Sequence, residues 1–426
     1  MQGELCKAYP RLYSSQRDTL EKPQLCGTNC SLTQICVSLV VLHFGHVVVF
    51  VHKTTIARLL LLHIPKQNMT AQRTAWIDAA KGIGIIAVLV GHTCAPAGLL
   101  AKAVFSFHIP LFFLISGYLF NFEKNASNFR DMAWRKFRHL IVPYFCSWLA
   151  LILAWLLFAC PRPFVETPAA AVAHVSLLNF FGYLYGIGQT NVFAPLSSII
   201  PVGPVWFLPT LFCAEIFFLF FLLAIPRTSF AARVAAALAL ALAGHLIGEH
   251  VFLPWGADIA LVSIVFLYAG YEFKVRDYIE RADFLHLVIC AAIWFLCLCA
   301  SDLSMNNRAY TDFPLALVGA AAGSFLVLSI SHATAKYAPA LVFIGRRSLV
   351  ILIAHPIFLD YLPAGSPIRY HWSVETIYLL GASLLAGSAI DATLRQCFAI
   401  ARSIRNKLSV RTSDAIVAGM AHDTRD

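Results

Sequence analysis

Apolar runs long enough to cross a bilayer recur along the chain from residue 77 onward, separated by short polar stretches. Ten can be delimited, at about 77–95, 100–121, 139–160, 203–225, 231–249, 254–273, 284–301, 313–332, 339–361 and 374–398. Each approaches the roughly 20 residues that a helix needs to cross the hydrocarbon core. The stretch 164–200, with Pro195 and several glycines, is too broken to be assigned as a span. It reads as an interfacial or re-entrant segment on the non-cytoplasmic side.

The pattern before residue 69 is different. It is rich in Cys, Ser and Gln to about Leu32, then apolar from Ile35 to Phe50, broken by His43 and His46 and followed by His52 and Lys53. That run is short for a span and lacks the basic start, clean apolar core and small-residue cleavage site of a signal peptide. The character changes at Met69, which opens MTAQRTAWIDAAKGIGII. We expect Met69 to be the natural start, with 1–68 an N-terminal extension that is an artefact of the gene model. Intact mass of the native protein tests this, and finding residues 1–68 present overturns it. Residues 69–400 then form an integral membrane domain, and 401–426 a short basic tail.

Composition agrees with the pattern. The 426 residues are 59% hydrophobic and 13% charged, with a mean hydropathy of +0.73, whereas soluble domains are about half apolar and a quarter charged. These values exclude a disordered chain, a fibrous repeat and a disulfide-rich secreted module. The predicted fold class is all-α, a polytopic integral membrane protein of about ten transmembrane helices. The net charge of +10 is read as cytoplasmic anchoring rather than nucleic-acid binding. Nineteen Lys and Arg lie in the loops after even-numbered spans and in the C-terminal tail, against four (Lys102, Arg162, Arg308 and Arg369) in the opposite loops. That asymmetry predicts both termini in the cytoplasm, which requires an even number of spans. The twelve cysteines show no C-x-x-C and no Cys/His quartet. No metal site is expected, and Cys146, Cys213, Cys290, Cys297 and Cys299 are read as small buried hydrophobes.

Ionisable side chains inside spans cost several kcal/mol unless they face protein or water, so each is a candidate for function. The first span carries Asp78, Lys81 and His92. Lys81 and His92 are eleven residues apart, about 20° beyond three full helical turns, and so share one face about 16 Å apart along the axis. Asp78, three residues before Lys81, can pair with it. A plainer alternative makes Asp78 and Lys81 a snorkelling interfacial pair and His92 a packed histidine. In the second span, FSFHIPLFFLISGYLF sets His108 two residues before Pro110. Two histidines on adjacent antiparallel spans point to a shared polar cavity. Arg135 and Arg138, with Lys136 between them, make a basic cluster before the third span, for which positive-inside anchoring is the plain alternative. Glu215, His355 and Trp206 complete the candidates. Glu215 and His355 are polar groups in need of partners, and Trp206 is better suited to packing or the interface than to a substrate platform.

Together these residues resemble the membrane-bound acyltransferase family 3, in particular its branch related to fucose 4-O-acetylases and exopolysaccharide acetyltransferases. The matching pieces are D-x-x-K-G followed by His (Asp78, Lys81, Gly82, His92), FHIPLFFLISGYLF, R-x-x-R (Arg135, Arg138), VWFLPTLF and IGRRSLVILIAHP. They cover about residues 73–400. The family motif usually has Arg where Lys81 stands, and Lys keeps the charge but loses the bidentate fork. Many relatives also carry an extracytoplasmic hydrolase-like domain after the last span. With a basic tail there instead, the acceptor is expected to meet the membrane domain directly.

The resemblance implies an O-acyltransferase in the cell inner membrane. Such an enzyme takes an acyl group, by default acetyl from acetyl-CoA, and places it on a sugar hydroxyl of an exopolysaccharide, another surface glycan or a lipid-linked oligosaccharide precursor. Acetyl-CoA is then a donor substrate, with no bound cofactor, and a polysaccharide biosynthesis complex and membrane lipid are further partners. In that scheme the catalytic set is His92, His108 and Asp78, and the donor-binding set is Lys81, Arg135 and Arg138. His92 acts as general base, His108 stabilises the oxyanion or orients the acceptor, and an acyl-histidine intermediate stays open. The rival is a transporter or flippase for glycan-lipid precursors. It predicts inverted repeats, and no second copy of the first-span or FHIP pattern is visible in the C-terminal half.

Overall fold

The computed structural model describes residues 69–95, 98–154, 169–189, 199–225, 229–360, 362 and 366–390. The N-terminal segment 1–68 and the tail 401–426 lie outside the described residues. Among those described, eight helices are long and apolar enough to cross a membrane, and a bent helix pair makes a ninth. The chain is a multi-pass membrane protein.

The first span is α1 (Met69–Thr93). The second is broken after α2 (Leu99–Phe105) and resumes as α3 (His108–Leu119). Pro110 does not cause the break. It falls in the first turn of α3, where no intrahelical bond from its nitrogen is needed. Short helices α4 (Phe122–Ser127) and α5 (Phe129–Lys136) follow, capped by the side chains of Asn121 and Asn128. A π-helical turn at Phe137–Ile141 leads into α6 (Val142–Ala154). The third span thus begins ten residues earlier than hydropathy alone indicates, at Phe129 rather than 139. The stretch predicted to be too broken for a span contains a 17-residue helix, α7 (Ala169–Tyr185).

A 3-10 turn at Gly203–Trp206 opens α8 (Phe207–Ala224), followed by α9 (Phe230–His250) and α10 (Ala257–Val275). The segment expected at 284–301 is α11 (Phe284–Ala300), 17 residues long and shorter than the other spans. A two-stranded hairpin (Leu303–Ser304 with Ala309–Tyr310) precedes α12 (Phe313–Thr334). The expected span at 339–361 is two helices, α13 (Pro339–Arg346) and α14 (Ser348–Asp360), bent by 75° at their junction. The last described helix is α15, over Trp372–Ile390.

Packing follows residue size. On α9, Leu238, Leu242 and Leu246 form an outward stripe about half exposed, while Ala237, Ala241, Gly244 and Gly248 are buried against α10. Small residues let helix backbones approach closely, the main source of helix association where lipid is as apolar as leucine. α10 is buried along most of its length and contacts α3, α8 and α9. Of the cysteines expected to be buried, Cys297 is buried and Cys213 and Cys290 are partly so, but Cys146 and Cys299 are exposed on outer helix faces. Apolar sequence context places a residue in the membrane without saying which face it occupies.

Two glycines fix the position of α13. A Cβ on Gly82 would strike the Leu341 carbonyl, and one on Gly345 the Asp78 carbonyl. The D-x-x-K-G and I-G-R-R pieces are therefore the two sides of one backbone-to-backbone contact between α1 and α13.

Candidate active site

The break in the second span creates the setting for His108. The last turn of α2 leaves carbonyls short of intrahelical partners, and the Val104 oxygen lies 2.7 Å from His108 Nδ1. Neighbouring helices brace the break: Trp294 Nε1 donates to Ser106 Oγ at 2.8 Å and Ser324 Oγ to the Phe107 carbonyl at 3.4 Å. His108 is buried. Because a carbonyl only accepts, Nδ1 carries the proton, and in the neutral ring Nε2 holds the lone pair.

His355 repeats that arrangement on α14. Its Nδ1 lies 2.9 Å from the Ile351 carbonyl, and its Nε2 is buried without a hydrogen-bond partner among the described residues. The following residue, Pro356, sits inside α14 and supplies no backbone N–H.

His92 lies between the two. Its ring centroid is 5.4 Å from that of His355, with the planes tilted by 35°. On its other side Phe105 bridges toward His108, at 6.5 Å from His92 and 5.2 Å from His108. His92 is partly exposed, whereas the other two imidazoles are buried. The next residue, Thr93, meets Thr376 of α15 at 2.7 Å, which ties the end of α1 to the last described helix. Three imidazoles, two from the adjacent first and second spans and one from the distant α14, thus gather near one end of α1, with His92 the most accessible. A neutral imidazole there can take or give a proton, and its buried neighbours can accept hydrogen bonds through Nε2. Among the described residues no group of three His, Cys, Asp or Glu side chains is arranged to hold a metal ion.

Asp78 and Lys81 occupy the opposite end of α1. Asp78 contacts Lys81 at 3.5 Å and Arg346 at 3.1 Å. It lies fourteen residues, or about 21 Å of helix, from His92 and does not join the histidine group. Lys81 is partly buried, with Asp78 as its ion-pair partner among the described residues.

The basic cluster is divided. Lys136 Nζ contacts Glu215 Oε1 at 2.5 Å, and Ser116 donates to the same carboxylate. Arg135 reaches Asn125 Oδ1 at 3.4 Å, and Arg138 is exposed. Glu215 therefore joins the second, third and fourth spans and stands apart from the histidines. Trp206 is buried in the turn before α8, edge-on to Phe207 at 6.3 Å, and that turn packs against α14. It is a packing residue behind the helix that carries His355.

Sequence reasoning missed two participants. Phe105 and Arg346 gave no sign beyond their motifs, since their roles depend on contacts between helices. Glu375, buried on α15 beside Thr376, is an ionisable residue in a predicted span and could have been flagged by the same rule that found Glu215.

Comparison with known proteins bears on this arrangement. A family model described as an acyltransferase domain, that of acyltransferase family 3, matches residues 74–390, which hold every candidate site residue described above. No curated protein matches the chain.

Proposed function

The chain belongs to acyltransferase family 3, and on that premise we propose that it is an O-acyltransferase of the cell inner membrane. In this reading it moves acetyl from acetyl-CoA to a sugar hydroxyl of an exopolysaccharide, another surface glycan or its lipid-linked precursor. The observation that carries the reading is the gathering of His92, His108 and His355 at one end of α1, with Lys81 on the same helix stripe toward the other.

The donor is an anionic nucleotide with a long thioester arm. Arg135, Arg138 and Lys81 suit its phosphates. The roughly 16 Å of helix between Lys81 and His92 is comparable to an extended pantetheine arm. His92 takes the proton of the sugar hydroxyl as that oxygen attacks the thioester carbon. The tetrahedral intermediate then collapses with loss of the thiolate, which accepts the proton from His92, so an ester and a free thiol result. His108 either donates toward the developing oxyanion, which needs a proton on its Nε2, or orients the acceptor through the Nε2 lone pair. Asp78 serves by holding Lys81 and Arg346 at the donor end.

Glycan O-acetylation, read by NMR in a deletion strain complemented with wild type or His92→Ala at matched expression, tests the reading. Acetyl signals restored by wild type alone support both enzyme and base. Restoration by both removes His92 from its role. The bent α13–α14 pair is also a feature of transporters with broken helices. A deletion that leaves acetylation intact and stops polymer export would favour that second reading.

A further inference from the structure

His355 presents a buried acceptor with nothing to accept. The residue is 0% exposed, its Nδ1 is committed to the Ile351 carbonyl, and its Nε2 has no hydrogen-bond partner among the described residues. An unsatisfied nitrogen in an apolar interior is costly, so it is rarely left without a purpose. With the proton on Nδ1, Nε2 can only receive a hydrogen bond. The ring beside it is His92, at 5.4 Å between centroids. Among the described residues no hydrogen bond holds either ring nitrogen of His92. Rotating the partly exposed His92 ring to present an N–H to His355 Nε2 would break no hydrogen bond among the described residues.

We propose that His355 is a positioning residue for His92. Its Nε2 accepts the N–H of His92, selects the tautomer whose other nitrogen faces the acceptor hydroxyl, and stabilises the imidazolium that forms when that proton arrives. The role is that of the third group in a nucleophile–base–orienter series, supplied here by a neutral imidazole. The inference rests on the acyl-transfer reading above.

The test uses the full chain in native membranes, with acetyl-CoA as donor, the glycan fraction of the deletion strain as acceptor, and thiol release as readout. Wild type is compared with His355→Gln, which carries an amide near the Nε2 position, and with His355→Asn and His355→Leu, which carry no acceptor there. Leu and Asn are expected to lower kcat on the order of a hundredfold while KM for acetyl-CoA stays within about twofold, and Gln is expected to recover most of the loss. Thermal unfolding midpoints of Gln and Asn are expected to coincide, which separates positioning from folding. Equal rates for Gln and Asn, or a loss confined to KM, overturns the role of His355 and leaves the acyl-transfer reading standing. Absence of thiol release by wild type removes both.

Discussion

Lys136 Nζ stands 2.5 Å from Glu215 Oε1, so the middle cation of the R-K-F-R run is neutralised within the protein. Glu215 is almost wholly buried, and Lys136 is about one-third exposed (2% and 33%). Removing the lysine strands a carboxylate in an apolar setting. Lys136→Met is therefore expected to destabilise by about 1–3 kcal/mol, below the figure for fully buried pairs because water reaches the ammonium. Adding Glu215→Leu removes the stranded charge and should restore part of that loss. Thermal unfolding in one detergent checks the order, and a double variant less stable than Lys136→Met contradicts it.

With Lys136 occupied, Arg135 and Arg138 are the cations of that run left to meet an anionic donor. Replacing either with Ala is expected to raise KM for acetyl-CoA by about tenfold with a smaller change in kcat, as for loss of one charge-assisted phosphate contact. Arg138→Ala should leave the unfolding midpoint in place, because the side chain is exposed. A fall in kcat at unchanged KM would place these residues outside donor binding.

The α1–α13 contact gives a sharper stability test. Gly345→Ala drives a methyl into the Asp78 carbonyl, and Gly82→Ala drives one into that of Leu341. Each is expected to cost about 1–3 kcal/mol, since a backbone atom cannot move aside as a side chain can. Gly381→Ala is the control, because nothing among the described residues lies within 4 Å of the added Cβ. It should be neutral or stabilising by up to about 1 kcal/mol, as expected for glycine replaced by alanine in a helix. Equal behaviour of all three would show that the two helices do not touch as described.

A second buried ion pair lies away from the histidines. Arg308 binds Asp258 through Nε at 2.7 Å and Nη2 at 3.2 Å, lies over the Phe252 ring at 3.8 Å, and donates to the Asn306 carbonyl at 2.9 Å. It clamps the hairpin turn onto the start of α10. Arg308→Ala leaves Asp258 charged and buried, with an expected cost of about 3–5 kcal/mol. Loss of under 1 kcal/mol in the unfolding free energy would mean that the hairpin is held by other contacts.

Much of this arrangement was legible in the sequence, for a reason that also sets its limit. Lys81 and Asp78 lie three residues apart on one helix, so their pairing follows from helix geometry alone. The same geometry puts His92 on the Lys81 stripe. Contacts between helices have no such rule. Nothing in the order of residues indicates that Arg346 joins Asp78, that Glu215 takes Lys136, or that His355 lies beside His92. The break before His108 was equally hidden. Its segment, Ser106–Phe107, contains no Gly or Pro, and Trp294 and Ser324 brace it from other helices. The bend after Arg346 also occurs without proline at the joint. Hydropathy measured the apolar length of 339–361 correctly and could not register a change of direction within it.

The imidazole pair carries a consequence for synthesis. His92 and His355 are 263 residues apart (355 minus 92). At ribosomal rates of about 5–20 residues per second, roughly 13–53 s pass between translation of the first ring and translation of the second. Throughout that interval α1 is already made, with a polar face whose partner does not yet exist. A chain released early, or cut before α14, has most of its spans and only one member of the pair. The nascent protein must therefore hold an unfinished polar face until one of its last helices arrives, a demand that bears on insertion factors and quality control.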